Sequence, residues 1–150
     1  MNLETQILKT FSTTFVTYYK SHVSHWNTTG RSFFSDHKLL GKIYDDLFNS
    51  VDDLAEIIRT LSILMPTTLG DIIGDSQVLD QPIYDDGDGD EYLAAIQSDL
   101  EELVRSYQDL ETVSSDLGHN HIQNYCQDRV RVLEKFIWMI RSTLTQRNSV

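Results

Sequence analysis

The chain has a single cysteine, Cys126, which excludes any intrachain disulfide and makes a reducing, cytoplasmic setting the default expectation. Only two prolines and seven glycines punctuate 150 residues. That is too little for the many turns of an all-β chain and favours long helices. No uninterrupted apolar run reaches the ~18 residues of a transmembrane span. The opening stretch, MNLETQILKTF, lacks a basic region followed by an apolar run, so no secretory signal is expected. Basic residues are scarce too: 12 Lys and Arg stand against 23 Asp and Glu, a net charge of −11. Binding DNA by counterion release needs a basic stripe, and none is present. The same field repels anionic membranes and attracts cations.

What is present is helical periodicity, in a length that suits one domain over residues 1–150. From Leu3 to about Asn27, apolar residues recur at Leu3, Ile7, Phe11, Phe15 or Val16, Tyr18 and His22 or Val23, an amphipathic helix that Gly30 ends. A second helix starts with Ser35 or Asp36 as N-cap and runs to about Leu64, where Pro66 stops it. Its stripe is Leu40, Ile43, Leu47, Val51, Leu54, Ile58 and Leu61. Residues 66–89 are too long and too rich in Gly, Pro and Asp for a tight turn, and their LGDIIG stretch suits one short helix. Asp88 or Asp90 caps a third long helix that carries Leu93, Ile96, Leu100, Leu103 or Val104, Tyr107, Leu110 and Val113 to Asp116. After Gly118 a fourth runs from about His119 to Thr145. Its inward positions are Ile122, Tyr125 or Cys126, Arg129 or Val130, Leu133, Ile137 and Ile140 or Leu144. The expected fold is an all-α, ferritin-like four-helix bundle, up-down-down-up, with a long crossover carrying a short extra helix. The Asp-rich DDGDGDEY stretch lacks the Gly and Glu positions of an EF-hand loop and reads as the cap of the third helix.

Candidate ligands gather at one helix junction. Three of the five histidines, His22, His25 and His37, fall within residues 21–40. At ~100° per residue, His37, Asp45, Asp52 and Glu56 share one polar flank of the second helix, off its core stripe. A solvated acidic face is the plain alternative for the carboxylates. Imidazole with carboxylate is, however, a ligand set for iron, manganese or zinc. A metal site in the bundle centre would need Glu-x-x-His on two helices. Glu4, Glu56, Glu91, Glu101, Glu102, Glu111 and Glu134 are followed three residues later by Ile, Arg, Ala, Val, Arg, Ser and Ile. If these groups bind metal, they must therefore meet across an interface between subunits.

The stretch HVSHWNTTGRSFFSDHKLL, followed by VDDLAEII, resembles the signature of the Dps miniferritins, the DNA-protection-during-starvation proteins. That signature is a His-Trp-Asn-x-x-Gly turn, a second His twelve residues on and Asp-x-x-x-Glu fifteen after that, which His25, His37, Asp52 and Glu56 match. LEKFIWMI near the end is similar to the family's last helix. The resemblance implies a homododecameric shell with ferroxidase-type sites at two-fold interfaces, His25 and His37 from one subunit and Asp52 and Glu56 from its neighbour. Iron(II) would be oxidised there, preferably by hydrogen peroxide, and stored as iron(III), with zinc or another divalent metal as a substitute. Trp26 would act as a safe electron relay when peroxide chemistry misfires, or else serve as a packing aromatic. His22 reads as an outer neighbour of the site or a plain surface residue.

The sequence departs from the family at three places. Four residues after His37, where the family carries an Asp ligand, stands Gly41, which offers no ligand and costs about 1 kcal/mol of helix stability relative to Ala. A weakened or mononuclear site is expected, and an interaction or structural shell with an inactive relic is the alternative. Only Met1 and Asn2 precede the first helix, and TQRNSV follows the last, so no Lys-rich tail for direct DNA binding is expected. Near the junction that forms the family's iron-entry pore, His119 and His121 accompany Asp116 and Asp128. These are either pore histidines or ordinary surface ones.

Overall fold

Asn2 opens the first helix, its side-chain oxygen accepting from the Thr5 N–H at 2.7 Å and satisfying one of the donors a helix start leaves free. The computed structural model describes residues 2–83 and 88–148, with side chains to Thr145. Its helices are α1 (Leu3–Asn27), α2 (Phe33–Thr60), α3 (Leu69–Asp75), α4 (Gly89–Asp116) and α5 (Asn120–Asn148). Among the described residues there is no strand, only one isolated bridge between Thr29 and Asp88, and no helix is long and apolar enough to cross a membrane. Tyr84, Asp85, Asp86 and Gly87, the start of the Asp-rich stretch, lie outside the described residues.

Cross-helix pairs fix the topology. Gln6 and Thr10 meet Ser106 while Lys20 pairs with Asp99 at 2.8 Å, so α1 and α4 run antiparallel. His25 meets His37 and Tyr18 packs on Phe48, so α1 and α2 are antiparallel as well. Helices α2 and α4 are therefore parallel, which is what the long crossover between them permits. Asp46 with Arg129 and Ser50 with Tyr125 tie α2 to an antiparallel α5. This is the up-down-down-up, ferritin-like bundle with α3 in its crossover.

The apolar stripes close on one another. Ile7, Leu40, Ile43, Leu47, Leu54, Ile58, Leu93, Ile96, Leu100, Leu103, Leu110, Leu133 and Ile140 are fully buried. Each such side chain contributes about 1.5–3 kcal/mol of burial.

Several sequence expectations shift. Helix α1 is buried well beyond its apolar stripe: Thr13, Thr14, Thr17, Ser21 and Ser24 are all fully buried. Each hydroxyl donates to a backbone carbonyl three or four residues back, at 2.7–2.8 Å. That leaves no unpaired polar group at these positions. Thr14 faces α4, with its hydroxyl 3.4 Å from the Tyr107 hydroxyl, while Thr13 meets the crossover, whose Gln77 N–H donates to Thr13 Oγ1 at 2.9 Å.

Helix α2 begins at Phe33, ahead of the Ser35 or Asp36 cap read from sequence. Asp36 is buried, and its carboxylate lies against Gly89, where a Cβ would stand 1.8 Å from Oδ2. The same helix stops at Thr60, short of Pro66. Leu61 and Ser62 donate back to Ile58 and Arg59, tightening the last turn, and Ser62 takes φ 63°. The Arg59 guanidinium then donates to the Ile63 carbonyl at 2.8 Å. At the start of α4 the cap is Asp88, in a reciprocal box with Glu91.

Candidate metal centre

His25 lies in the last turn of α1 and His37 in the second turn of α2, brought face to face by the antiparallel pairing across the 28–32 turn. Each imidazole donates from Nδ1 to the other's backbone carbonyl, His25 to His37 and His37 to His25, both at 2.7 Å. A carbonyl oxygen only accepts, so both rings hold the Nδ1–H tautomer and keep the Nε2 lone pair free for a metal. The rings stack with centroids 3.7 Å apart and 18° between planes, and Phe33 continues the stack beyond His37 at 5.0 Å.

Aromatic groups surround this pair. His22 is neither bare surface nor loosely placed. It stacks on Tyr44 at 3.7 Å and 8°, approaches Trp26 at 4.0 Å, and its Nδ1 is 2.9 Å from the Tyr18 hydroxyl. Burial, and then the neighbouring His25, lower its pKa. Trp26 stays 58% exposed, enough ring to meet solvent or another copy. Tyr18 and Tyr44 were not singled out in the sequence. Tyr18 reads in the sequence as part of the α1 core stripe with His22, and Tyr44 stands outside the α2 stripe.

Asp52 and Glu56 sit one turn apart on α2, exposed. The Glu56 carboxyl is raised above its ordinary range by a hydrogen bond with Asp52, and further by the Asp52 charge. They are far from the histidines: fifteen residues of α2 separate His37 from Asp52, roughly 22 Å at 1.5 Å per residue. Among the described residues no three His, Cys, Asp or Glu groups come together as a metal cluster. One chain thus brings together two pairs, not one site. Asp45 is exposed and outside both. At the start of α5, the His119 and His121 rings lie 6.0 Å apart, edge to face.

Residues 4–149 match the family model of the ferritin-like domain. A DNA protection during starvation protein from Helicobacter pylori is 29% identical over 129 residues, covering 86% of this chain and 89% of that protein. The Dps protein from Vibrio cholerae O1, a member of a broad superfamily of ferritin-like diiron-carboxylate proteins, superposes with a TM-score of 0.88. It is 25% identical, with 95% and 88% of the two chains covered. This chain belongs to the Dps miniferritins, within the ferritin-like family. Dps from Listeria monocytogenes shares the miniferritin fold at a TM-score of 0.91, 21% identity, and 97% and 94% coverage.

The centre of this miniferritin bundle is filled rather than open. Where a ferritin-like protein can place metal ligands between its helices, Arg129 donates two hydrogen bonds to Asp46, at 3.1 and 2.7 Å. Tyr107 and Tyr125 pack beside each other at 6.2 Å, with the Tyr107 hydroxyl 3.4 Å from Thr14 Oγ1. A buried guanidinium repels cations from this centre, which agrees with the absence of Glu-x-x-His in the sequence. Cys126 is buried beside it, its thiol pushed up to about 12 by burial and then by Glu111, so it is no thiolate nucleophile.

Proposed function

We propose that this chain, one ferritin-like domain throughout, binds ferrous iron at sites completed between two copies of itself. It oxidises the iron there with hydrogen peroxide, two ferrous ions per peroxide reduced to water. The ferric product is stored in a homododecameric shell in the cytoplasm. The observation that carries this reading is the pairing of His25 with His37, whose reciprocal hydrogen bonds leave both Nε2 atoms free. The Asp52–Glu56 pair lies a fixed distance along the same helix. A two-fold axis sets one copy's histidines against the other's carboxylates and generates two equivalent sites per pair of chains.

Imidazole nitrogen and carboxylate oxygen together suit iron, and zinc or another divalent ion would compete for the same atoms. Two adjacent acids whose charges oppose each other gain from a cation between them. They stabilise the ferric product more than the ferrous substrate, which favours oxidation. Trp26, exposed beside His22, can give up an electron to a one-electron oxidant formed when peroxide meets a single iron. The net charge of −11 works against coating DNA. Gly41 favours a second reading, a shell whose site is one ligand short and slow. A wild-type protein that oxidises iron no faster than buffer would select that reading.

His25→Ala and Asp52→Ala should each slow peroxide-dependent iron oxidation by at least the roughly 10–100-fold that loss of an outer-shell partner costs at a metal site. Stopped-flow absorbance of the ferric product measures it. The two variants refolded together supply a sharper check. Half of the pairs formed would be mixed, and each mixed pair holds one intact site, so about a quarter of wild-type sites return. No recovery in co-assembled protein would rule out sites shared between chains.

A further inference from the structure

We propose that Gly41 is a positioning residue for His25: its missing side chain is the space that lets the His25 and His37 imidazoles lock together as a preformed half-site for a divalent cation. The inference rests on the metal-binding reading above and sharpens it, because that reading treats Gly41 only as a ligand lost.

The geometry is specific. A Cβ at Gly41 would stand 3.1 Å from His25 Cε1 and 3.2 Å from His25 Nδ1, with Tyr44 Cε2 next at 3.9 Å. These contacts are too close for the ring to stay where it is, and it has little room to give. Its Nδ1 is held at 2.7 Å by the His37 carbonyl, and His37 itself stacks on it at 3.7 Å. Tyr44, at 5.0 Å, is committed to its own stack on His22. Any β-carbon at position 41 must therefore move the His25 imidazole by a few tenths of an ångström, at the edge that carries the hydrogen bond. The other helical glycines of α3 meet nothing: a Cβ at Gly70 or Gly74 has no neighbour within 4 Å. A glycine in the middle of a 28-residue helix is otherwise unfavourable, and the close approach of His25 is the physical reason for it here. Orientation of a ligating imidazole through its second nitrogen governs metal affinity, so an alanine that contributes no ligand atom should still weaken binding.

The test uses the assembled protein, with Co(II) as a redox-silent probe read by its visible spectrum, alongside crystal structures of the metal-free variants. Gly41→Ala should fold, and its His25 Nδ1 to His37 carbonyl distance should lengthen. Cobalt should bind about tenfold more weakly. Gly41→Asp should show the same displaced ring and no gain in affinity. A Gly41→Ala protein with the lock and the affinity of wild type overturns the proposal, as does a Gly41→Asp protein that binds cobalt more tightly than wild type. If wild type binds no cobalt while the alanine still displaces His25, the metal reading fails alone and the positioning of His25 by Gly41 stands.

Discussion

Replacing Asp46 with alanine is expected to destabilise the protein by about 3–5 kcal/mol, because it strands a charge inside the bundle. Arg129 is 7% exposed and pairs with Asp46 through two hydrogen bonds at 3.1 and 2.7 Å. Its Nε is buried without a hydrogen-bond partner, so the guanidinium is already short of one acceptor with Asp46 in place. A guanidinium does not neutralise by losing its proton, so the remaining charge must be hydrated by opening the core or tolerated without compensation. For a chain of this size the melting temperature should fall by roughly 10 °C, which calorimetry would read directly. The effect belongs to the broken pair rather than to the lost carboxylate. Asp46→Leu combined with Arg129→Met should therefore recover most of the loss, since apolar residues of similar volume replace buried ion pairs at little cost. A single Asp46→Ala change that costs less than about 1 kcal/mol, the range of exposed pairs, would mean that water reaches Arg129.

Gly89→Ala should also be costly, by about 2–3 kcal/mol, the upper part of the roughly 1–3 kcal/mol range for overfilling a closed space. The new Cβ would stand 1.8 Å from Asp36 Oδ2 and 2.9 Å from its Cγ, and Asp36 is only 2% exposed. A short, buried carboxylate cannot swing aside as a surface lysine would. The change also presses on the junction where the Gly89 N–H donates to the Thr29 carbonyl at 2.9 Å. This contact holds the turn after α1 against the start of α4, and His25 and His37 flank that turn. Gly74→Ala is the opposite case, with open space around the added carbon, and should stabilise α3 by up to about 1 kcal/mol through helix propensity alone. A fall in urea midpoint for Gly89→Ala and a smaller rise for Gly74→Ala would bear out both signs. A neutral Gly89→Ala would show that Asp36 can leave its place.

The pairing of His25 with His37 was legible in the sequence as spacing across a turn, and Asp52 with Glu56 as one turn of helix. What could not be read was that each pair is already ordered within the chain in a different way. The histidines are locked by each other's carbonyls, whereas the carboxylates face solvent, with Asp52 raising the Glu56 carboxyl. His22 looked like a bystander because sequence spacing shows neighbours along a helix. The ring that settles its role, Tyr44, comes from α2. Asp36 read as an N-cap because Asp favours that position. Its actual neighbour is 53 residues further on, at Gly89.

Four long helices, their buried stripes, the long crossover and the lack of Glu-x-x-His could all be read along the chain, because periodicity and local motifs are properties of sequence neighbours. The His25–His37 and Asp52–Glu56 pairs were legible too, as residue types at fixed helical spacings. The burial of the threonines and serines of α1 became visible only in the packed bundle, since a hydroxyl can satisfy itself by bonding back along its own helix and so hide from any hydropathy pattern. Packing between helices also decided that Arg129 and Asp46 close the bundle centre. The same holds for Gly41, whose role lies in the distance between two helices rather than in the sequence around it: the missing β-carbon is the room that His25 occupies.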